Sequence, residues 1–228
     1  LRNVPFVNDV LTMKDLLISL GSKVELLKEK KIIKIINNKK HKLIVPYNLV
    51  STMRAGVLTM GPLLARYPKS KIRVALGGGC ALGIRDTSWH LSGFKSLGAD
   101  NTLNRGYVNI YSKNGLKGNI FKFPKVTVTG SSNLIMASVL IKGEHIIKNI
   151  SIEPEVKDLI KFLNNSGAQI KFIGKRSIKI QGVNELVNGD HTIIGDRIEA
   201  FSYLCVAAIT NGRVKVKKID PKYLNAEL

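Results

Sequence analysis

Apolar and polar positions follow two periods along this chain, and the pattern repeats. Met13, Leu16, Leu17 and Leu20 share one face at helical spacing, which predicts an amphipathic helix over Thr12 to Leu20. Thr12 and Asp15 have the spacing of a capping box at its start, and Gly21 is placed to cap its end. Short strands are predicted over Lys23 to Leu27 and Ile32 to Ile36. Leu49 to Ala65 is apolar nearly all round, which predicts a second, buried helix, and Ile72 to Leu76 predicts a closing strand.

The same order returns twice. The second unit has a helix carrying Leu91, Phe94 and Leu97, with strands near Thr102 and over Tyr107 to Tyr111. A helix from Asn133 to Ile141 and a strand from His145 to Ile150 complete it. The third has a helix carrying Val156, Leu159, Ile160 and Leu163, and strands over Gln169 to Ile173 and Ser177 to Gln181. Its second helix is predicted over Asp196 to Thr210, and its closing strand over Arg213 to Lys217. Gly21, Gly98 and Gly167 end the first helices and mark a period of roughly seventy residues, a small folding unit rather than a solenoid repeat.

In each unit the first helix is amphipathic and belongs outside, whereas the second belongs in the middle of an α/β arrangement. Asn48, Ser131-Ser132 and Asp196 stand where the buried helices should start. If the units pack round an axis, helix N-termini gather at one end, where anions such as phosphate are favoured.

Composition narrows the function classes. The chain has 228 residues, 44% of them hydrophobic, and no apolar run long enough to cross a bilayer. The start, Leu1-Arg2-Asn3-Val4-Pro5, has no signal-peptide pattern, and two cysteines in unlike contexts suggest no disulfide framework. A cytoplasmic location is expected. The net charge of +20 suits nucleic acid, an acidic membrane surface or anionic small molecules. A bias towards Lys, Ile and Asn along the whole chain accounts for it equally well. Aromatics are only 6% and do not alternate with the basic residues, so stacking platforms for single strands are not visible.

The candidate chemistry lies in Leu76-Gly77-Gly78-Gly79-Cys80-Ala81-Leu82-Gly83-Ile84-Arg85. Three consecutive glycines let a backbone approach an anion closely. A lone cysteine is usually a small buried hydrophobe. Here the glycines and nearby Arg85 favour a reactive thiolate. Cys205, in the apolar run Phe201 to Ala208, reads as core. His41, His90, His145 and His191 lack metal-ligand spacing, and no cofactor motif is visible.

The run Gly78 to Arg85 resembles the catalytic loop of the UDP-N-acetylglucosamine 1-carboxyvinyltransferases, the enolpyruvyl transferases of peptidoglycan synthesis. Leu1 to Pro5, Met53-Arg54-Ala55, Gly61 to Arg66, Gly115 to Gly118, Val126 to Gly130, Glu153 to Val156, Asp196 to Ala200 and Asp220-Pro221 agree with that family in order and spacing. The resemblance implies an inside-out α/β barrel fold, with residues 1–195 forming most of one globe and 196–228 the start of a second. It implies a fragment of a longer enzyme, inactive alone and monomeric when whole. It further implies transfer of enolpyruvyl from phosphoenolpyruvate to the 3-hydroxyl of UDP-N-acetylglucosamine, with no metal, cofactor, nucleic acid or membrane partner.

By the same resemblance Cys80 is the general acid that also forms a covalent adduct. Arg54, Arg85, Asp86, Thr87, Ser88, Trp89, Lys125, Val126, Thr127 and Val128 are the substrate-binding residues. Asp196 reads as a helix cap. The chain departs from the family at Gly77, where the family has Pro, and at Asp86-Thr87-Ser88, where it has Pro-Val-Asp. It departs again at Ser132 and at Phe201-Ser202. Two rivals remain. One is an enzyme like 5-enolpyruvylshikimate-3-phosphate synthase, against which Cys80 argues. The other is a basic nucleic-acid-binding α/β repeat protein.

Overall fold

Helix α1 (Asn8–Leu20) opens a full turn earlier than its apolar stripe suggests. Val7 holds the N-cap position without a side-chain bond, and Asp9 supplies negative charge to the first turn. Thr12 and Asp15 therefore lie inside the helix, and the expected capping box is not formed. Gly21 ends α1 as predicted, at φ 109°, where its N–H donates to Ile18 O and that of Ser22 to Leu17 O.

The computed structural model describes residues 1–37, 40–51, 53–76 and 87–224. Its contacts divide the chain into two units, Leu1–His191 and Thr192–Leu228. Among the described residues the first holds three sheets. Strands β1 (Lys23–Leu27) and β2 (Ile32–Ile36) form an antiparallel hairpin. Leu1 lies against β2: its amino group donates to Ile33 O at 2.8 Å, and Ile33 N–H returns a bond to Leu1 O at 2.9 Å.

The other two sheets share one plan. In the first, β3 (Ile44–Val45) runs parallel to β4 (Ile72–Ala75). β4 is antiparallel to β6 (Tyr107–Tyr111), which forms a hairpin with β5 (Asp100–Asn104). Arg105 and Gly106, both at positive φ, make the tight turn of that hairpin. The second sheet repeats this order with β7 (Ile120–Lys122), β8 (Glu144–Lys148), β10 (Ser177–Gln181) and β9 (Gln169–Gly174). The period read from the glycines is thus a structural one.

Helix α4 (Ser88–Ser96) and helix α6 (Pro154–Asn165) are the first helices of the second and third units. Helix α5 (Val128–Ser138) is the buried helix of the middle of the chain, with Gly130, Ser131, Asn133, Leu134, Ile135, Ala137 and Ser138 all buried. It begins before Ser131-Ser132, where the start was expected. Thr127 caps it instead, and the Ser131 and Ser132 hydroxyls donate to Thr127 O and Val128 O.

The single helix expected over Leu49 to Ala65 is three pieces. These are α2 (Tyr47–Val50), a 3-10 turn (Arg54–Thr59) and α3 (Met60–Arg66). Met53 is extended between the first two. Pro62 has no N–H to give to a preceding turn, so it favours a fresh start, and it sits in the first turn of α3. Gly56 packs so tightly on Val50 that a Cβ would collide with that side chain.

The second unit contains α7 (Arg197–Ile209) and a 3-10 turn, Pro221–Leu224. Asp196 caps α7, accepting from the N–H groups of Ile198 and Glu199 at 2.8 and 3.1 Å. The expectation that this helix is buried is corrected. Only Ala200 is buried, Tyr203 and Val206 are exposed, and Ile209 is 83% exposed. Cys205, read as core from its apolar neighbours, is exposed as well. Apolar composition shows that a helix can be buried, but burial needs neighbours, and within its own unit α7 packs against the 3-10 turn. No strand forms over 213–217, because a strand exists only where a ladder pairs it.

Candidate active site

The corner that leads into an amphipathic helix is built alike in two places. Asn3 leaves the first residues at φ 59° and Asn149 leaves β8 at φ 58°, each a few residues before α1 and α6. Asparagine tolerates this left-handed conformation better than most residues. Lys218, at φ 63° before the turn at Pro221, repeats the device in the second unit. Between β4 and α4 the connection runs over 76–87, more than twice the length of 149–153. The extra residues are the glycine-rich stretch with its thiol. An insertion at one corner of a repeat serves something other than the repeat. Cys80, Arg85 and Asp86 fall outside the described residues.

Of the remaining candidates, Thr87, Ser88 and Trp89 form the entry to α4. Ser88 is exposed, while Thr87 and Trp89 are half-buried. Lys125 and Val126 are exposed just before α5, with Thr127 and Val128 half-buried at its start. Arg54, half-buried, begins the 3-10 turn. The structure packs all three of these elements together, since α5 lies against α4, α3 and the 3-10 turn. Gly93 of α4 meets Leu134 of α5 at a separation that leaves a Cβ only 3.1 Å from its Cδ1.

A buried polar node joins their N-terminal turns. Asn133, 0% exposed, accepts from Gly61 N–H at 2.7 Å and donates to Val57 O at 2.9 Å. Its amide nitrogen also lies 2.9 Å from Nδ1 of His90, itself 5% exposed on the first turn of α4. Nε2 of His90 is 3.4 Å from Oγ1 of Thr129 on the first turn of α5. Gly61 must be glycine here, because a Cβ would run into the backbone and amide oxygens of Asn133. None of these residues was singled out as functional from the sequence. The available signals were glycines inside helical patterns, which mark close approach, and a polar residue in an apolar helix.

Chemically the arrangement suits an anion. The geometry of a helix start leaves the N–H groups of Val128 and Thr129 without intrahelical acceptors, and Thr127 Oγ1 takes that of Gly130 at 3.2 Å. Arg54 and Lys125 add positive charge, and the described candidate residues include no carboxylate. Among the described residues no group of His, Cys, Asp and Glu could hold a metal ion. No described helix is long and apolar enough to cross a membrane.

The repeated α/β plan and this corner are those of a known family of proteins. The chain belongs to the EPSP synthase (3-phosphoshikimate 1-carboxyvinyltransferase) family, whose model matches residues 1–228. Curated relatives named UDP-N-acetylglucosamine 1-carboxyvinyltransferase align along its length. That of Pelagibacter ubique is 47% identical over 228 residues, all of this chain and 54% of the relative. One from Coxiella burnetii is 43% identical over the whole chain and 52% of its own length. One from Trichlorobacter lovleyi is 42% identical over 99% of this chain and 53% of its own length. The chain therefore spans about half the length of the curated relatives it matches.

Among solved structures, the enolpyruvyl transferase NikO from Streptomyces tendae superposes with a TM-score of 0.76 at 16% identity. That match covers 90% of this chain and 48% of NikO. An EPSP synthase from Acinetobacter baumannii gives 0.65 at 19% identity, over 87% and 44% of the two chains. These likenesses carry the inside-out α/β barrel fold that the family resemblance of the sequence implies.

Proposed function

We propose that this chain is part of a cytoplasmic enzyme that transfers enolpyruvyl from phosphoenolpyruvate to the 3-hydroxyl of UDP-N-acetylglucosamine. The observation that carries the reading is the thiol of Cys80 in the glycine stretch inserted between β4 and α4, within a chain 47% identical end to end to a relative of that name.

In this reading the Cys80 thiol gives its proton to the methylene carbon of phosphoenolpyruvate. The sugar hydroxyl oxygen adds to the neighbouring carbon and gives its own proton to a base. Phosphate then leaves together with a proton from the new methyl group, which restores the double bond. The thiolate can also attack the same carbon and hold it covalently. Arg54 and Arg85 neutralise the two polyanionic substrates, Arg being suited by its planar fork. Residues 86–89 and 125–128 hold the nucleotide-sugar.

The test places this chain in the Pelagibacter ubique relative in exchange for the matching segment, and follows phosphate release. Turnover is expected with UDP-N-acetylglucosamine and not with shikimate 3-phosphate. Cys80→Ser should abolish it, because a hydroxyl is too weak an acid near neutral pH, whereas Cys80→Asp should keep a part. A serine variant that outperforms the aspartate variant refutes proton donation by Cys80. The 228 residues alone should show little or no turnover.

A further inference from the structure

We infer that His90 is a positioning residue. Held as its neutral Nε2–H tautomer by Asn133, it fixes the first turn of α4 against the first turn of α5, so that residues 87–89 and 125–128 present one surface to the nucleotide-sugar. The inference rests on the functional reading above and deepens it.

The chain of reasoning starts at Asn133. Gly61 N–H can only donate, so the side-chain atom facing it at 2.7 Å is the amide oxygen. Val57 O can only accept, so the atom facing it at 2.9 Å is the amide nitrogen. The orientation of the amide is thereby set by two backbone groups rather than assumed. Its nitrogen has a second proton, and Nδ1 of His90 stands 2.9 Å away. Nδ1 must therefore present a lone pair. A protonated Nδ1 would set N–H against N–H at a nearly fully buried contact. The ring keeps one proton, on Nε2, and that nitrogen faces Thr129 Oγ1 at 3.4 Å.

The positions of these residues give the lock its use. His90 follows Trp89 directly and Thr129 follows Val128 directly. Two segments proposed to grip one ligand are far apart in sequence and meet through a single ring. Gly93 against Leu134 sets the spacing of the two helices, and the His90 ring ties their first turns together. The two contacts of the ring, on a side chain only 5% exposed, hold the two turns in register.

The experiment uses the 228-residue chain with ¹⁵N-labelled histidine, and compares His90→Phe and His90→Gln with the parent. Long-range proton–nitrogen spectra should show His90 neutral with its proton on Nε2, and a charged ring or the Nδ1–H tautomer overturns the inference. Glutamine can accept from Asn133 and donate to Thr129, whereas phenylalanine keeps the volume and neither bond. Titration calorimetry with UDP-N-acetylglucosamine should show affinity falling at least about tenfold in His90→Phe. His90→Gln should recover most of it. Ile178→Ala, a core substitution in β10, should lower the melting temperature and leave the affinity alone. A His90→Phe variant that binds like the parent, or a glutamine variant as weak as phenylalanine, overturns the inference and leaves the functional reading standing. The same titrations are run with the chain exchanged into the Pelagibacter ubique relative, and a parent that binds no UDP-N-acetylglucosamine in either form brings down the functional reading, and this inference with it.

Discussion

Replacing Asn133 by alanine removes the centre of the node, and the structure sets the scale of the loss. Three partners are orphaned at once: Gly61 N–H, Val57 O and Nδ1 of His90. With Asn133 0% exposed, no water replaces the lost amide without opening the helix contact. A buried polar group left unpaired costs about 1–3 kcal/mol. Taking the lower part of that range for each, because small shifts recover some bonding, the total is about 3–5 kcal/mol. Whole domains are stable by only about 5–15 kcal/mol, so this is a large share. At about 2–4 °C per kcal/mol for a unit of this size, the melting temperature should fall by on the order of 10 °C.

The sole tryptophan, Trp89, lies on the first turn of α4 beside His90, so its fluorescence during urea unfolding reports on the first unit. Asn164 is the internal control. Its amide also makes two bonds, to the N–H and O of Ile170 at 2.9 Å each, but it is exposed at the end of α6. Water can take over there, and Asn164→Ala should cost only about 1 kcal/mol. If Asn133→Ala is no more costly than Asn164→Ala, the node is not closed to water and the reasoning fails.

Two further outcomes follow from single residues. Burial holds His145 below its ordinary value of 6.5 despite the opposing bond to Ile141 O, and burial with the Arg66 charge does the same for His41. Both native sites disfavour the proton, so their stabilisation is fully present above about pH 6.5 and is lost as pH falls below it. The melting temperature should drop between about pH 7.5 and 5.5 and drop less in His145→Gln, and an equal drop would remove His145 from the account. Cys205, exposed on α7, should be alkylated in the folded chain at neutral pH, as read by peptide mapping. Its protection until urea is added would mean that α7 is covered after all.

Much of the architecture was legible in the sequence because it is local. Hairpins such as β1–β2 follow from alternation over five residues, and Gly21 is needed where α1 must end in a left-handed turn. The repeat was visible for the same reason, since each unit writes its own helix ends and strands. Local pattern also foretold that Asp196 would cap α7, as its two bonds to Ile198 and Glu199 bear out.

Tertiary structure decided what depends on neighbours. The apolar runs 49–65 and 197–209 look alike in sequence. One is broken into three pieces by Met53 and Pro62 and buried under α5, and the other lies exposed because little covers it. Strand character over 213–217 came to nothing without a ladder to join. The node of Asn133, His90, Gly61 and Thr129 was not legible as a unit. Gly61, His90 and the Thr129–Asn133 pair lie about thirty to forty residues apart, and a glycine in a helical pattern or an asparagine in an apolar run does not say what it faces. Hydrogen-bond distances exist only once α3, α4 and α5 are packed, and only then does an asparagine in an apolar helix explain the glycine and the histidine that face it.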